Sequence, residues 1–293
     1  MTPTNPSRRT LLLGAAGAGA LAAAGCAQLP AFMPPQGMAI SATPLYGKFI
    51  WRDLLTEDPA LVKPFYAGLF GWQYEDSRAL GAPYALVKSG GLYIAGISQS
   101  KRQRADQPVS QWLSFMSVAD VDRAAESTRA AGGSVVMGPL VLPNVGRGAV
   151  VLDPQGAPLG LLRTSFGDPA DVAEPVLNRF LWTELLASDP LAAVAFYSSL
   201  AGFESRRVDD DQRPYWILKA GRERAGVLKN PFPGVRPAWL ASVRVADAAA
   251  SAERAAQLGG RVLLAPKLQH RKGTLALVAD PGGAVLALQQ WPV

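Results

Sequence analysis

The stretch Trp51-Arg52-Asp53-Leu54-Leu55-Thr56-Glu57-Asp58-Pro59, with Phe65-Tyr66-Ala67-Gly68-Leu69-Phe70-Gly71-Trp72 close behind it, occurs a second time. The second copy reads Trp182-Thr183-Glu184-Leu185-Leu186-Ala187-Ser188-Asp189-Pro190, then Phe196-Tyr197-Ser198-Ser199-Leu200-Ala201-Gly202-Phe203. Equivalent residues stand 131 apart, so the chain carries an internal repeat, and the repeat decides how everything between the copies is read.

Within the first copy, residues 49–55 are apolar around the charged pair Arg52 and Asp53, which predicts a strand. Asp58-Pro59 predicts a helix start, with Asp as N-cap and Pro at the first helical position. Leu61, Phe65 and Leu69, four apart, are expected to form one apolar face, and Gly71 to end the helix. Short strands are expected at 72–74, 84–87 and 92–95, making a β-α-β-β-β unit. The unit recurs at once. A strand is expected at 112–118, then a helix capped by Asp120 through Val121, Ala124, Ala125 and Thr128, closed by Gly132-Gly133, then strands at 134–137, 148–152 and 159–162. In the second half, Trp239, Asp247, Gly259-Gly260, Pro266 and Asp280-Pro281 lie 127 residues after Trp112, Asp120, Gly132-Gly133, Pro139 and Asp153-Pro154. The expected fold class is α+β: four βαβββ modules paired into two domains, residues 47–167 and 178–293, joined by a polar, Pro-containing linker at 168–177.

The chain resembles the vicinal oxygen chelate superfamily, which includes glyoxalase I, bleomycin resistance proteins and extradiol dioxygenases. The residues that carry the resemblance are Trp51 to Asp58, Phe65-Tyr66, Leu69-Phe70-Gly71-Trp72, Val118-Ala119-Asp120-Val121-Asp122 and Asp153-Pro154-Gln155-Gly156. Trp182 to Asp189, Phe196-Tyr197, Val245-Ala246-Asp247 and Asp280-Pro281-Gly282-Gly283 repeat them. The resemblance implies two glyoxalase-like domains, each curling its sheet around a cup that holds a metal or a ligand. Metal-dependent relatives carry His, Gln or Glu on four strands. Alignment on the helix-capping Asp places Trp51, Gly96, Leu113 and Gly160 at those positions in the first domain. In the second it places Trp182, Gly226, Leu240 and Ala287. None is a strong ligand for a divalent cation, so no metal and no cofactor is expected.

Other residues are candidates for chemistry. Asp53 and Glu184 are equivalent, and each stands two residues after a Trp, so acid and ring share a sheet face. If that face is the cup, each acid could bind a cation or act as a general base. Alternatively it pairs with a neighbouring Arg such as Arg52 or Arg179. Trp112 and Trp239 begin equivalent strands and either stack on a planar ligand or fill a core. Tyr84 and Tyr215 also correspond, each after a Pro, and are open to the same two readings. The ligand-binding set expected is thus Trp51, Asp53, Trp112, Trp182, Glu184 and Trp239. His270, the single histidine, sits in the basic loop Gln269-His270-Arg271-Lys272-Gly273 opposite Pro143 of the first domain, and shared chemistry is not expected of it. No Ser/His/Asp set is apparent.

Composition narrows the function classes. In 293 residues, 49% are hydrophobic and 18% charged, which suits a globular protein with a sizeable core. The net charge of +6 is modest and forms no long basic run, so nucleic acid is not an expected partner. One cysteine excludes an internal disulfide. That cysteine, Cys26, closes an N-terminal segment: Ser7-Arg8-Arg9-Thr10 leads into an apolar run at 11–25, 15 residues long and short for a membrane span. Residues 1–26 read as a twin-arginine export signal that also resembles a lipoprotein signal. Ala23 departs from the Leu usual in lipoprotein signals. The expectation is lipidation at Cys26, a tether over 27–46 and a location in the periplasm or cell envelope. Ordinary cleavage nearby is the alternative. The functional expectation is an exported, metal-free protein that binds a small molecule. The alternative is a lyase, isomerase or dioxygenase-like enzyme with a non-standard site.

Overall fold

The computed structural model describes residues 38–101, 109–210 and 213–292. The export segment, Cys26 and most of the tether lie outside them. Among the described residues no helix is long and apolar enough to cross a membrane.

The four modules follow in chain order. The first comprises β1 (Phe49–Thr56), α1 (Pro59–Phe70), β2 (Gln73–Ala79), β3 (Ala82–Ser89) and β4 (Leu92–Gln99). The second comprises β5 (Ser110–Ser117), α2 (Val121–Ala130), β6 (Ser134–Leu142), β7 (Gly146–Leu152) and β8 (Pro158–Thr164). The third comprises β9 (Phe180–Ala187), α3 (Pro190–Ala201), β10 (Glu204–Asp210), β11 (Arg213–Ala220) and β12 (Arg222–Lys229). The fourth comprises β13 (Ala238–Arg244), α4 (Ala248–Gln257), β14 (Arg261–Leu264), β15 (Leu275–Ala279) and β16 (Val285–Gln289). Modules pair into two eight-stranded sheets, ordered β2-β3-β4-β1-β5-β8-β7-β6 and β10-β11-β12-β9-β13-β16-β15-β14. In each, the first strand of one module runs antiparallel to the first strand of the next, β1 with β5 and β9 with β13.

Each helix starts on an Asp whose carboxylate accepts a first-turn amide: Asp58 from Leu61 at 3.1 Å, Asp120 from Arg123 at 3.0 Å, Asp189 from Leu191 at 3.0 Å and Asp247 from Ala249 at 2.8 Å. Gly71 and Gly202 end α1 and α3 in the left-handed conformation, with φ of 70° and 69°. The buried face of α2 is the one expected from its spacing, Val121, Ala124, Ala125 and Thr128. That of α1 is not. Val62, Phe65, Tyr66 and Phe70 are buried, while Leu61 is exposed. The helix has apolar residues nearly all round, so spacing alone could not choose among its faces.

The cores are shared across the halves. Phe65, Tyr66 and Phe70 of the first module lie in one cluster with Val243, Ala252, Val278 and Leu288 of the fourth. Val121 and Ala124 of the second module lie with Val194, Tyr197, Leu218 and Trp239 of the third. Matching hydrogen-bond chains cross both seams. Trp112 Nε1 donates to the Tyr66 hydroxyl at 2.9 Å, and Tyr66 donates to Asp280 Oδ2 at 3.0 Å. Trp239 Nε1 donates to the Tyr197 hydroxyl at 2.9 Å, and Tyr197 donates to Asp153 Oδ2 at 2.9 Å. Burial, reinforced by the neighbouring carboxylate, raises both phenols well above the ordinary tyrosine range, so both stay neutral donors. The linker is anchored too: Asp168, buried, accepts from Leu45 N at 2.7 Å and Ser117 Oγ at 2.8 Å, and Ile40 bridges to Pro169. The described end of the tether, residues 38–46, is thus docked against the linker.

Candidate functional site

Along β1 side chains alternate between two environments. Leu54 enters the helix-covered core, whereas Trp51 and Leu55 join Leu113, Phe115 and Leu162 on the helix-free face. Asp53 lies between Trp51 and Leu55 on that same face. In the second sheet, Leu185 and Ala187 enter a helix-covered core, and Leu186 packs with Leu240, Leu277 and Ala287 on the helix-free face, the face of Trp182 and Glu184. The helix-free faces are the two cups.

In the first cup a carboxylate gathers two donors. Trp51 Nε1 donates to Asp53 Oδ1 at 2.8 Å and to the Tyr84 hydroxyl at 3.1 Å, and Tyr84 donates to the same Oδ1 at 2.7 Å. Burial raises the Asp53 carboxyl above its ordinary range, against the two hydrogen bonds, which favour its charged form. Among the described residues Asp53 Oδ2 has no hydrogen-bond partner, and Asp53 has no cation beside it.

The second cup repeats the first with one addition. Trp182 Nε1 donates to the Tyr215 hydroxyl at 2.9 Å, and Tyr215 donates to Glu184 Oε1 at 2.6 Å. Arg271 then pairs with the same oxygen. Arg271 and Lys272 adopt left-handed φ of 47° and 54°, and the turn is pinned: Thr274 Oγ1 donates to the Arg271 carbonyl at 2.6 Å, and Gln289 Nε2 donates to Thr274 Oγ1 at 2.9 Å. Arg271 also donates to Gln289 Oε1 at 3.2 Å. The sequence offers a neighbouring Arg, such as Arg52 or Arg179, as a partner for the acid. Its partner comes instead from a loop 87 residues away, next to the histidine that drew attention in the sequence.

Of their two readings, Trp112 and Trp239 take the core one and do not join the expected ligand-binding set. They lie in the helix-covered cores as donors to Tyr66 and Tyr197, on the sheet face away from the cups, and a ligand in a cup cannot stack on them. Tyr84 and Tyr215, outside the expected ligand-binding set, are the hubs of both hydrogen-bond groups. The signal available was their shared Pro-Tyr context and equal distance, 31 residues, from Asp53 and Glu184.

The family resemblance implies a metal, and the residues present do not fit one. The aligned positions lie on the cup face: Gly96 and Leu113 both stand opposite Asp53, and Gly160 stands opposite Phe115. A Cβ on Gly96 would fall 1.7 Å from the Tyr84 hydroxyl, and one on Gly226 would fall 1.8 Å from the Tyr215 hydroxyl. A Cβ on Gly160 would fall 2.1 Å from the Phe115 ring. The room a ligating side chain would need is therefore filled by a phenol at Gly96 and at Gly226, and by a phenyl at Gly160. Among the described residues no group of three or more His, Cys, Asp or Glu side chains could hold an ion.

Comparison with known proteins gives the family of each half. The Glyoxalase/Bleomycin resistance protein/Dioxygenase superfamily matches residues 49–161, and the Glyoxalase-like domain family matches residues 182–288. The "Putative glyoxylase CFP32" of Mycobacterium tuberculosis is 32% identical over 243 residues, covering 81% of this chain and 92% of that protein. The "Anthracycline biosynthesis protein DnrV" of Streptomyces peucetius is 31% identical over 258 residues, covering 80% and 90%. Among solved structures, the Mn(II)-bound glyoxalase from Novosphingobium aromaticivorans aligns with a TM-score of 0.55 at 18% identity over 85% of this chain and 83% of that one, a likeness of fold.

Proposed function

From the premise that this chain belongs to the glyoxalase/bleomycin resistance protein/dioxygenase superfamily in tandem form, we propose that it is an exported protein that binds a small molecule without a metal, and that the first cup does the binding. The carrying observation is the difference between the two acids. Glu184 is neutralised by Arg271, whereas Asp53 keeps one oxygen without a partner among the described residues. Leu55, Phe115, Val145 and Val150 supply apolar wall, and Trp51 an aromatic one. The complementary ligand is flat and largely apolar, with one hydroxyl or amine to donate to Asp53 Oδ2. The relative named for anthracycline biosynthesis accords with an aromatic ligand.

The test is a thermal-shift screen with divalent metals and small aromatic molecules, followed by titration of a hit. Trp51→Ala and Asp53→Asn are expected to weaken binding at least tenfold, about 1.4 kcal/mol, while Trp182→Ala and Glu184→Gln leave it within about twofold, well under that step. Elemental analysis of untagged protein is expected to find no stoichiometric Zn, Fe, Mn or Ni. About one metal per domain, or normal binding by the folded first-cup variants, would sink the proposal.

A second reading has its own observation. Asp53, with its raised pKa, has the character of a general acid–base, so lyase or isomerase chemistry is the alternative. Conversion of a bound ligand that stops in Asp53→Asn would favour it.

Export rests on the sequence of residues 7–26. Replacing Arg8 and Arg9 with Lys is expected to hold the precursor in the cytoplasm, and Cys26→Ser to release a soluble exported form. Normal delivery of the first variant to the envelope, or unchanged membrane association of the second, would refute the corresponding step.

A further inference from the structure

The two sheets meet where their central strands face each other, and the residues there are related by the repeat. Arg52 and Thr183 are equivalents 131 apart, and Ser114 and Ala241 are equivalents 127 apart. Arg52 stands opposite Ser114 on β5, and Thr183 opposite Ala241 on β13. All four are buried. The quartet is unlike its own symmetry: one half contributes a guanidinium and a hydroxymethyl, the other a hydroxyl and a methyl.

The polar atoms of this quartet satisfy one another only in part. Arg52 Nη2 donates to Thr183 Oγ1 at 2.7 Å, and the guanidinium lies over the Phe180 ring, 4.5 Å from its centroid. Arg52 Nε and Ser114 Oγ, both fully enclosed, have no hydrogen-bond partner among the described residues. No Asp or Glu among the described residues pairs with Arg52. Burial alone pulls its pKa down to about 10, so it remains a cation at neutral pH. A buried cation is ordinarily paired, and buried donors ordinarily find an acceptor. Facing residues on adjacent antiparallel strands have Cβ atoms about 4.5–5.5 Å apart, so one small acceptor can reach both side chains.

We propose that a halide-sized monovalent anion, chloride in ordinary buffers, binds between the two sheets, held by Arg52 Nε and Ser114 Oγ. The unmatched groups are a charged N–H and a hydroxyl free to donate. An acceptor-only ligand with a negative charge satisfies both and supplies the missing counter-charge, whereas water would bring two more hydrogens to a place already rich in donors. Only these two donors of the quartet are unmatched, which suits a single-atom ion better than an oxyanion with several oxygens to satisfy. The ion would bridge β1 and β5 beside the contact with β9, and so would tie halide binding to the docking of the two halves.

The test is thermal unfolding in chloride against gluconate at matched ionic strength, with a crystal grown in bromide. The wild-type melting temperature is expected to rise with chloride and saturate. Ser114→Ala is expected to move the midpoint of that rise at least tenfold to higher chloride. Arg52→Met is expected to abolish the rise. Bromide is expected to give an anomalous peak between Arg52 and Ser114. Equal melting in both salts, an unchanged chloride response in Ser114→Ala, or a water without anomalous signal at that place would each overturn the proposal. Should Arg52→Met fail to fold, Ser114→Ala and the bromide crystal still decide it.

Discussion

Residues 47–167 expressed alone are expected to lack a cooperative unfolding transition, although they contain a whole eight-stranded sheet and two helices. In that fragment Phe65, Tyr66 and Phe70 lose Val243, Val278, Leu286 and Leu288, their neighbours in the first core. Val121 and Ala124 lose Val194, Leu218 and Trp239 in the second. Full burial of one Val, Leu or Phe stabilises by about 1.5–3 kcal/mol, and a whole domain is stable by only about 5–15 kcal/mol. A handful of such losses is enough to unfold it. The Tyr66 hydroxyl would also lose Asp280, and Asp153 would lose the Tyr197 hydroxyl. The measurement is heat or urea unfolding followed by near-ultraviolet circular dichroism. The fragment should show no sharp transition, and co-expression with residues 168–293 should restore one. A fragment melting cooperatively near the full chain would show that the shared cores contribute little.

That prediction depends on something only half legible in the sequence. The repeat indicates four modules paired into two domains, because helix caps and strand starts are local signals: Asp58-Pro59 and Asp189-Pro190 each put a side-chain acceptor and a fixed φ where a helix begins. Which module's helix packs on which sheet is not a local property. Phe65-Tyr66 and Asp280-Pro281 were visible as separate motifs, and nothing in either indicates that one donates a hydrogen bond to the other across 214 residues. The cups were legible in the same partial way. Alternation put Trp51 with Asp53 and Trp182 with Glu184. The same rule could not decide which face Trp112 takes, because β5 is apolar on both sides and each face meets a core. The Arg271–Glu184 pair depended on a loop folding back with two left-handed residues that are not glycine, a conformation without a composition signal.

The side-chain-free positions Gly96 and Gly226 and the two tyrosines that crowd them go together, and Gly96→Ala tests the link. The added methyl would stand 1.7 Å from the Tyr84 hydroxyl oxygen, 2.2 Å from its Cζ and 2.5 Å from Asp53 Oδ1. Tyr84 is buried, so it cannot swing out cheaply. Overpacking a filled site costs about 1–3 kcal/mol, and leaving a buried partner such as Asp53 short of its hydrogen bond costs about 1–3 kcal/mol more. Gly96→Ala is therefore expected to lower the unfolding midpoint markedly and, with the Trp51–Asp53–Tyr84 group displaced, to abolish binding of any first-cup ligand. Removing the phenol removes the two closest of these contacts and leaves the one to Asp53 Oδ1. In the Tyr84→Ala background the same methyl should cost less, with a coupling of about 0.5–3 kcal/mol in a double-mutant cycle. Additive effects would mean that Tyr84 does not occupy the place of the missing side chain. The second domain offers the same cycle with Gly226 and Tyr215, where the added Cβ meets the hydroxyl at 1.8 Å. It follows that Gly96→His alone should not restore a metal centre, since the imidazole would have to enter through an occupied position. A ligating residue on β4 and a tyrosine reaching in from β3 exclude each other, and in this chain both domains carry the tyrosine.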